Sequence, residues 1–433
     1  MNSSNIELFA FAFLVIITGI LFLIALVKEL APNERRQWLL GIGFGAGVIA
    51  FSLKIGLVVL FSSYPEPIFA LLPSKDISNE KPLALAESFV SNPFDQPSYE
   101  WLALPNTAPY PASNPPSDDK IALGKKLFFD KRLSADNSLS CASCHEISDA
   151  KGGADGLAGS LGIDNQIGGR NAPTVLNSAF QRVLFWDGRA SSLEEQAKGP
   201  LVNPIEMGMP SHTAVEEKLK GLDGYNKDFA KAFPDQPQIT INNIAKAIAS
   251  FERTLITPDS PYDRFVKGDT QAMTIQQIRG MALFEQLGCV QCHSGPNFSG
   301  ASTFDSGSPY RIFPLVQDSD FEKHHQLTQD LGVLKPEQAT RGLWRVPSLR
   351  NVSRTAPYFH NGSVDSLEEA VRVMVNLQLG KKLSNDHSAD KKVRWLTSNS
   401  EFSISENQAV SDTEIKEIVA FLEALSGKLP NIY

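Results

Sequence analysis

All four cysteines of this 433-residue chain stand in two copies of one pattern, Cys141-Ala142-Ser143-Cys144-His145 and Cys289-Val290-Gln291-Cys292-His293. Four cysteines in so long a chain do not make a disulfide framework. Zinc-site pairs seldom both end in histidine, and redox dithiols of this spacing sit in a strand–helix–strand context. A different chemistry fits the repeat. Two thiols one helical turn apart can bond covalently to the edge of a porphyrin, and the adjacent imidazole then reaches the iron from one face. Two c-type haems are therefore expected, attached at Cys141, Cys144, Cys289 and Cys292, with His145 and His293 as iron ligands.

The rest of the chain divides unevenly. Leu8 to Val27 carries no charge, and Leu39 to Phe61 is broken only by Lys54; each run is long enough to span a bilayer. The segment between them holds three of the four basic residues in the first 62 positions. By the positive-inside rule the reading is a membrane hairpin over 1–62 with a cytoplasmic loop, anchored in the cytoplasmic membrane, with the remainder on the periplasmic or outer face. Covalent haem attachment fits that face. Residues 63–117 contain eleven of the 27 prolines and read as an extended linker or strap.

From Asp118 onward the apolar spacing is helical, as in Ile121, Leu123, Leu127 and Phe128, or Ile415, Ile418, Val419 and Leu422. Strand signals are sparse. An all-α, loop-rich architecture is expected, with the haems replacing part of the packing. Forty basic and 48 acidic residues give a net charge of -8 without a basic run, which argues against a nucleic-acid partner.

The two halves are related. Pro173 to Glu195 aligns without a gap on Pro347 to Glu369, at a constant offset of 174. Asn177 meets Asn351, Phe185 meets Phe359, and Gly188 meets Gly362. Two homologous haem domains follow, 118–257 and 258–433, with the boundary near Thr257. At one aligned position the halves differ, Trp186 against His360, which points to different tasks at the two haems; His360 is counted with the haem-binding residues. After His293 the only methionine is Met374, which shares a helix face with Leu367 and Val371. Core packing and iron ligation are both open to it. Histidine–methionine ligation would raise the potential of the second haem and make it the one that accepts electrons.

Beyond the haem motifs, the strings Arg170-Asn171-Ala172-Pro173-Thr174, Phe185-Trp186-Asp187-Gly188-Arg189-Ala190, Glu195-Gln196-Ala197-Lys198-Gly199-Pro200, Glu206-Met207 and Tyr358-Phe359-His360 together resemble the bacterial dihaem cytochrome c peroxidase family, which includes MauG-like enzymes. The resemblance covers about residues 118 to 427. It implies that hydrogen peroxide is reduced at the N-terminal haem. Electrons from cytochrome c or another small redox protein would reach the C-terminal haem first. It further implies Met374 as distal ligand, Trp186 as bridge between the haems, and Glu206 with Gln196 as the acid/base site. Asn171, Thr355 and Pro357 match the family's calcium site. A homodimer is compatible with it, and the hairpin would also admit a quinol donor.

One departure from the family stands out. Many members close the peroxidatic haem with a histidine a few residues before the Arg-Asn-Ala-Pro string, whereas here Ile163 holds the matching place and no histidine lies between Glu146 and Ser211. An open first haem is expected, unless Met207, Met209 or His212 approaches it. Two other functions compete with the peroxidase: a MauG-like oxidase, against which Met374 argues, and a non-enzymatic dihaem electron carrier or peroxide sensor.

Overall fold

The computed structural model describes residues 99–316, 318–335, 339–384 and 409–432, together with the backbone of 395–397 and 400–402. All belong to one compact unit, Ile77–Tyr433. The two long apolar runs of the N-terminus lie outside the described residues. The expected cytoplasmic-membrane location is corrected: no helix among the described residues is long and apolar enough to cross a membrane.

Two helix crossings build the molecule. In the first lobe α1 (Asp118–Phe129) starts at Ser117, whose side chain accepts from the N–H of Lys120, with Asp118 and Asp119 in its first turn. Both features favour a helix start. Helices α2 (Cys141–Cys144), α3 (Leu193–Val202), α4 (His212–Lys220), α5 (Tyr225–Ala232) and α6 (Ile241–Glu252) follow. Helix α1 packs on α6, and Gly124 touches the carbonyl of Ala247 so closely that any side chain there would overlap it. Leu127, Phe128, Tyr225, Phe229, Ile244, Ile248 and Phe251 fill the core around this crossing.

The second lobe repeats the device. Helix α7 (Pro261–Val266) is followed by α8 (Ile275–Gln286), strand β1 (Tyr310–Phe313), α9 (Asp320–His325), β2 (Gly342–Arg345), α10 (Leu367–Leu377), β3 (Trp395–Thr397), β4 (Ser400–Phe402) and α11 (Asp412–Ala424). Gly280 of α8 lies against the carbonyl of Glu417 in α11 as Gly124 lies against Ala247. Tyr262, Met281, Phe284, Phe298 and Phe421 form this core, joined by Trp101 from the preceding segment. That segment is a strap: Trp101 sits in the second core, while Asn114 donates to Glu194 and to the Lys246 carbonyl in the first lobe, both at 2.9 Å. At the other end of the chain Ile432 packs into the first core.

The backbone itself repeats at the offset of 174. Asn177 and Asn351 both take left-handed φ, 60° and 58°, as do Phe185 and Phe359 at 65° and 67°. Single bridges Leu184↔Ala190 and Tyr358↔Val364 recur at the same offset. The all-α expectation needs one correction, since β1 pairs antiparallel with β2 and β3 with β4. Strands of three or four residues are too short for an alternation signal. The fold is helix-rich, with two small ladders.

Candidate functional site

Both cysteine motifs open onto one cavity of about 750 Å³ that reaches from the first lobe to the second. At the start of the short helix that carries Cys141 and Cys144, the Ser140 N–H donates to Ser143 Oγ at 3.0 Å. The four thiols are free. Burial holds them neutral, raising Cys141 and Cys289 to about 12.

The imidazoles are fixed by backbone. His145 Nδ1 lies 3.4 Å from the Gly153 carbonyl, and His293 Nδ1 lies 3.2 Å from that of Phe298. A carbonyl only accepts, so Nδ1 must carry the proton in each contact. That leaves the Nε2 lone pair for a metal. Burial lowers the pKa of both rings, that of His293 to about 4, so each is neutral at pH 7. A pair of thiols beside a neutral, oriented imidazole on an apolar cavity wall is the donor set a covalent haem requires. The structure supplies it twice.

The two ends of the cavity differ. On the second-lobe side α10 presents Leu367, Val371 and Met374 to the cavity. On the first-lobe side α3 presents Gln196, and the loop after it presents Asn203 and Glu206. Asn203 Nδ2 donates to Glu206 Oε1 at 2.7 Å, while its Oδ1 accepts from the Ile205 N–H at 3.0 Å. Burial raises the Glu206 pKa, opposed by the charge of Arg189 and the Asn203 hydrogen bond. Ile163 is buried but does not line the cavity, and neither do Met209 and His212, the latter held 3.0 Å from the Lys198 carbonyl. Met207 does line it.

Between the lobes the aromatic residues gather. Trp186 Nε1 donates to the Asn171 carbonyl at 2.8 Å. Its ring meets His360 edge-on at 6.5 Å, and His360 stacks on Trp344 at 4.0 Å. Burial lowers the His360 pKa to about 4, so this ring is neutral too. The ladder β1–β2 sets Trp344 and Arg345 in the cavity wall. Arg345 is buried, donating to the Phe185 carbonyl at 2.8 Å, and burial lowers it to about 10.

Asn171 Nδ2 donates to the Pro357 carbonyl at 2.6 Å, whereas Thr355 Oγ1 donates to Val352. Asn171 and Pro357 are thus brought together. A calcium ion there would need the Asn171 amide turned to present its oxygen, since Nδ2 cannot ligate a cation.

Sequence reasoning missed Asn203, Arg189, Trp344 and Arg345. Asn203 carried a usable signal, since an asparagine three residues before a candidate carboxylate after a helix end can turn back upon it. The others become visible only when the lobes are packed.

Residues 118–271 match the sequence model of a family described as di-haem cytochrome c peroxidase. Cytochrome c551 peroxidase of Pseudomonas aeruginosa is 38% identical over 372 residues, covering 86% of this chain and 94% of its own. Cytochrome c peroxidase Ccp of Escherichia coli is 39% identical over 321 residues, covering 74% of this chain and 60% of its own. Among solved structures, that of a MauG-like protein associated with microbial copper homeostasis aligns with a TM-score of 0.60 and 29% identity, over 76% of this chain and 96% of that one. With two haem-binding donor sets on a shared cavity and relatives matched along most of their length, this chain belongs to the di-haem cytochrome c peroxidase family.

Proposed function

We propose that the chain reduces hydrogen peroxide to water at the first haem, with electrons that a small redox protein such as cytochrome c delivers to the second. The haem domains are 118–257 and 258–433. Cys141, Cys144, Cys289 and Cys292 would hold haem c through thioethers, and that group would supply iron able to pass single electrons and to bind peroxide. The overall balance is one peroxide, two electrons and two protons to two waters.

The chain's own residues divide this work. Met374 and His293 both line the cavity in the second lobe, and Met374 would offer its thioether to the iron of a haem held there, which would suit an electron acceptor. Trp186 lies between the lobes with its N–H tied to the Asn171 carbonyl and serves as the bridge. Glu206 moves a proton between the two peroxide oxygens, beside the amide of Gln196. The observation that carries this reading is the asymmetry of the cavity. A half-buried carboxyl held by Asn203 lies at the first-lobe end, and a methionine at the other.

Residues 63–433 include 36 basic and 45 acidic side chains, which favours a basic donor through complementary charge. Steady-state peroxide consumption by the holoprotein with reduced cytochromes of opposite net charge tests the reading. Rapid turnover with the basic cytochrome, slowed by salt, is expected. Binding of peroxide without oxidation of any cytochrome would point instead to an oxidase of another substrate.

A further inference from the structure

Glu252 has no part in the reading above, yet it is one of the most tightly enclosed acids in the protein. It ends α6, is 5% exposed, lines the cavity, and its Oε2 has no hydrogen-bond partner. A buried carboxyl with an unpartnered oxygen is costly and calls for an explanation. The neighbouring cation does not supply one. Arg253 turns to Glu194, with its guanidinium 2.8 and 3.1 Å from the carboxylate oxygens.

The second lobe shows what a purely structural solution looks like. Gly124 meets the Ala247 carbonyl and the Phe251 Cβ, while Gly280 meets the Glu417 carbonyl and the Phe421 Cβ. The crossings superpose residue on residue, so Ile248 corresponds to Ile418 and Glu252 to Leu422. All four line the cavity. Leucine, 4% exposed, fills the position beside the second haem site, and a buried leucine avoids the desolvation that a carboxyl suffers. The carboxyl therefore belongs to the first haem site alone.

We infer that Glu252 is a proton site coupled to the first haem, taking up a proton from solvent when that haem accepts an electron and releasing it when the electron leaves. The only bond made or broken is the O–H of the carboxyl, and the electron comes from the redox donor. Coupling follows from burial: two charges enclosed by one apolar wall are weakly screened, so an electron added to one disfavours a negative charge on the other.

Few charged groups face the carboxyl. Arg253 and Glu194 of α3 are the charged groups that act on it, and the neighbouring Cys141 sulfur of α2 is uncharged once it is a thioether. Helix α1 offers Gly124 and Phe128 there, and its Lys120 faces Lys246, earlier in α6. Glu216 of α4 is engaged with the Ile241 N–H at the start of α6. Burial raises the Glu252 pKa to about 8, so the proton can be exchanged near neutral pH.

The inference rests on the assignment of Cys141–His145 as a haem site and on no step of peroxide reduction. Optical redox titration of the holoprotein from pH 5 to 10 tests it, in the wild type, Glu252→Gln and Glu252→Leu, the last being the second lobe's own residue. In the wild type the first haem's midpoint should fall with rising pH, by up to about 59 mV per tenfold change in proton activity for one electron. Both variants should lose that slope, and the second haem should be unchanged in all three. A slope that survives in either variant, or a pH-independent wild-type midpoint, would overturn the inference. Redox-difference infrared spectra of the wild type need no variant: a protonated-carboxyl band should grow on reduction, and its absence counts against Glu252. Peroxide turnover is measured separately, so failure here leaves the peroxidase reading standing.

Discussion

Asn177 and Asn351, 174 positions apart, donate to the same atom: each Nδ2 lies 2.9 Å from Oγ1 of Thr257. The three side chains are buried, and the outer oxygens are also used, Asn177 Oδ1 by the Thr257 N–H and Asn351 Oδ1 by the Gly427 N–H. One hydroxyl thus joins the two copies of the repeat. Thr257→Val keeps the shape and removes the acceptor, leaving two buried donors unmet. An unsatisfied buried donor costs about 1–3 kcal/mol, so denaturant unfolding of the holoprotein should show a loss of several kcal/mol. Thr257→Ser should lose far less. Equal stability of all three would deny the hydroxyl this role.

Thr257 also shows what could be read in advance. The gapless offset of 174 was legible because Asn177, Phe185, Gly188 and their partners need unusual backbone. Left-handed φ is tolerated best by Asn and Gly, so the same letters recur wherever the same turn does. The helix crossings were less legible. Their correspondence runs through Gly124 with Ala247 and Gly280 with Glu417, across loops of different length, and the Glu252–Leu422 contrast cannot be aligned until α6 and α11 are packed. Trp344 and Arg345 were hidden for another reason: they lie on a four-residue strand whose partner is some thirty residues away. The cysteine motifs needed none of this, because their chemistry is local, whereas Glu206 came from the resemblance to the family and Met374 from that resemblance together with its being the sole methionine after His293.

Burial raises the Glu206 pKa, and Arg189 and then Asn203 oppose it. The hydrogen bond that Asn203 donates favours the carboxylate, against a burial that favours the acid. Removing the donor in Asn203→Ala should raise the Glu206 pKa further, so the ionised fraction at a given pH falls. The acid limb of the kcat/KM profile for peroxide should move to higher pH, with both haems retained. Glu206→Gln should lose about 10²-fold or more in turnover, the usual worth of a positioned acid/base. An unshifted profile together with near-normal turnover would place the proton transfer elsewhere.

Met374 lies on the cavity wall with Leu367 and Val371 rather than inside a sealed core. Methionine ligation raises a haem potential. Met374→Ala should lower one midpoint of the holoprotein markedly and leave the other in place. Two unchanged midpoints would make the thioether a packing group.

The first haem site lacks an obvious second ligand. Among the described residues the histidines that line the cavity are His145, His293 and His360, and the methionines are Met207 and Met374. His360 belongs to the stack with Trp344, and Ile163 lies under Gly208, away from the cavity wall. That leaves Met207, whose backbone is pinned by the Ala135 N–H to its carbonyl and by its own N–H to Pro200. It is 5% exposed among first-core residues that include Val175 and Leu201, a setting that suits packing. The fully oxidised holoprotein should therefore show one high-spin haem by electron paramagnetic resonance. It should react with peroxide without a lag that pre-reduction removes. Met207→Leu keeps the apolar volume and should leave both observations unchanged. Two low-spin signals in the wild type, one of them turning high-spin in Met207→Leu, would identify Met207 as the ligand and close the face that this reading leaves open.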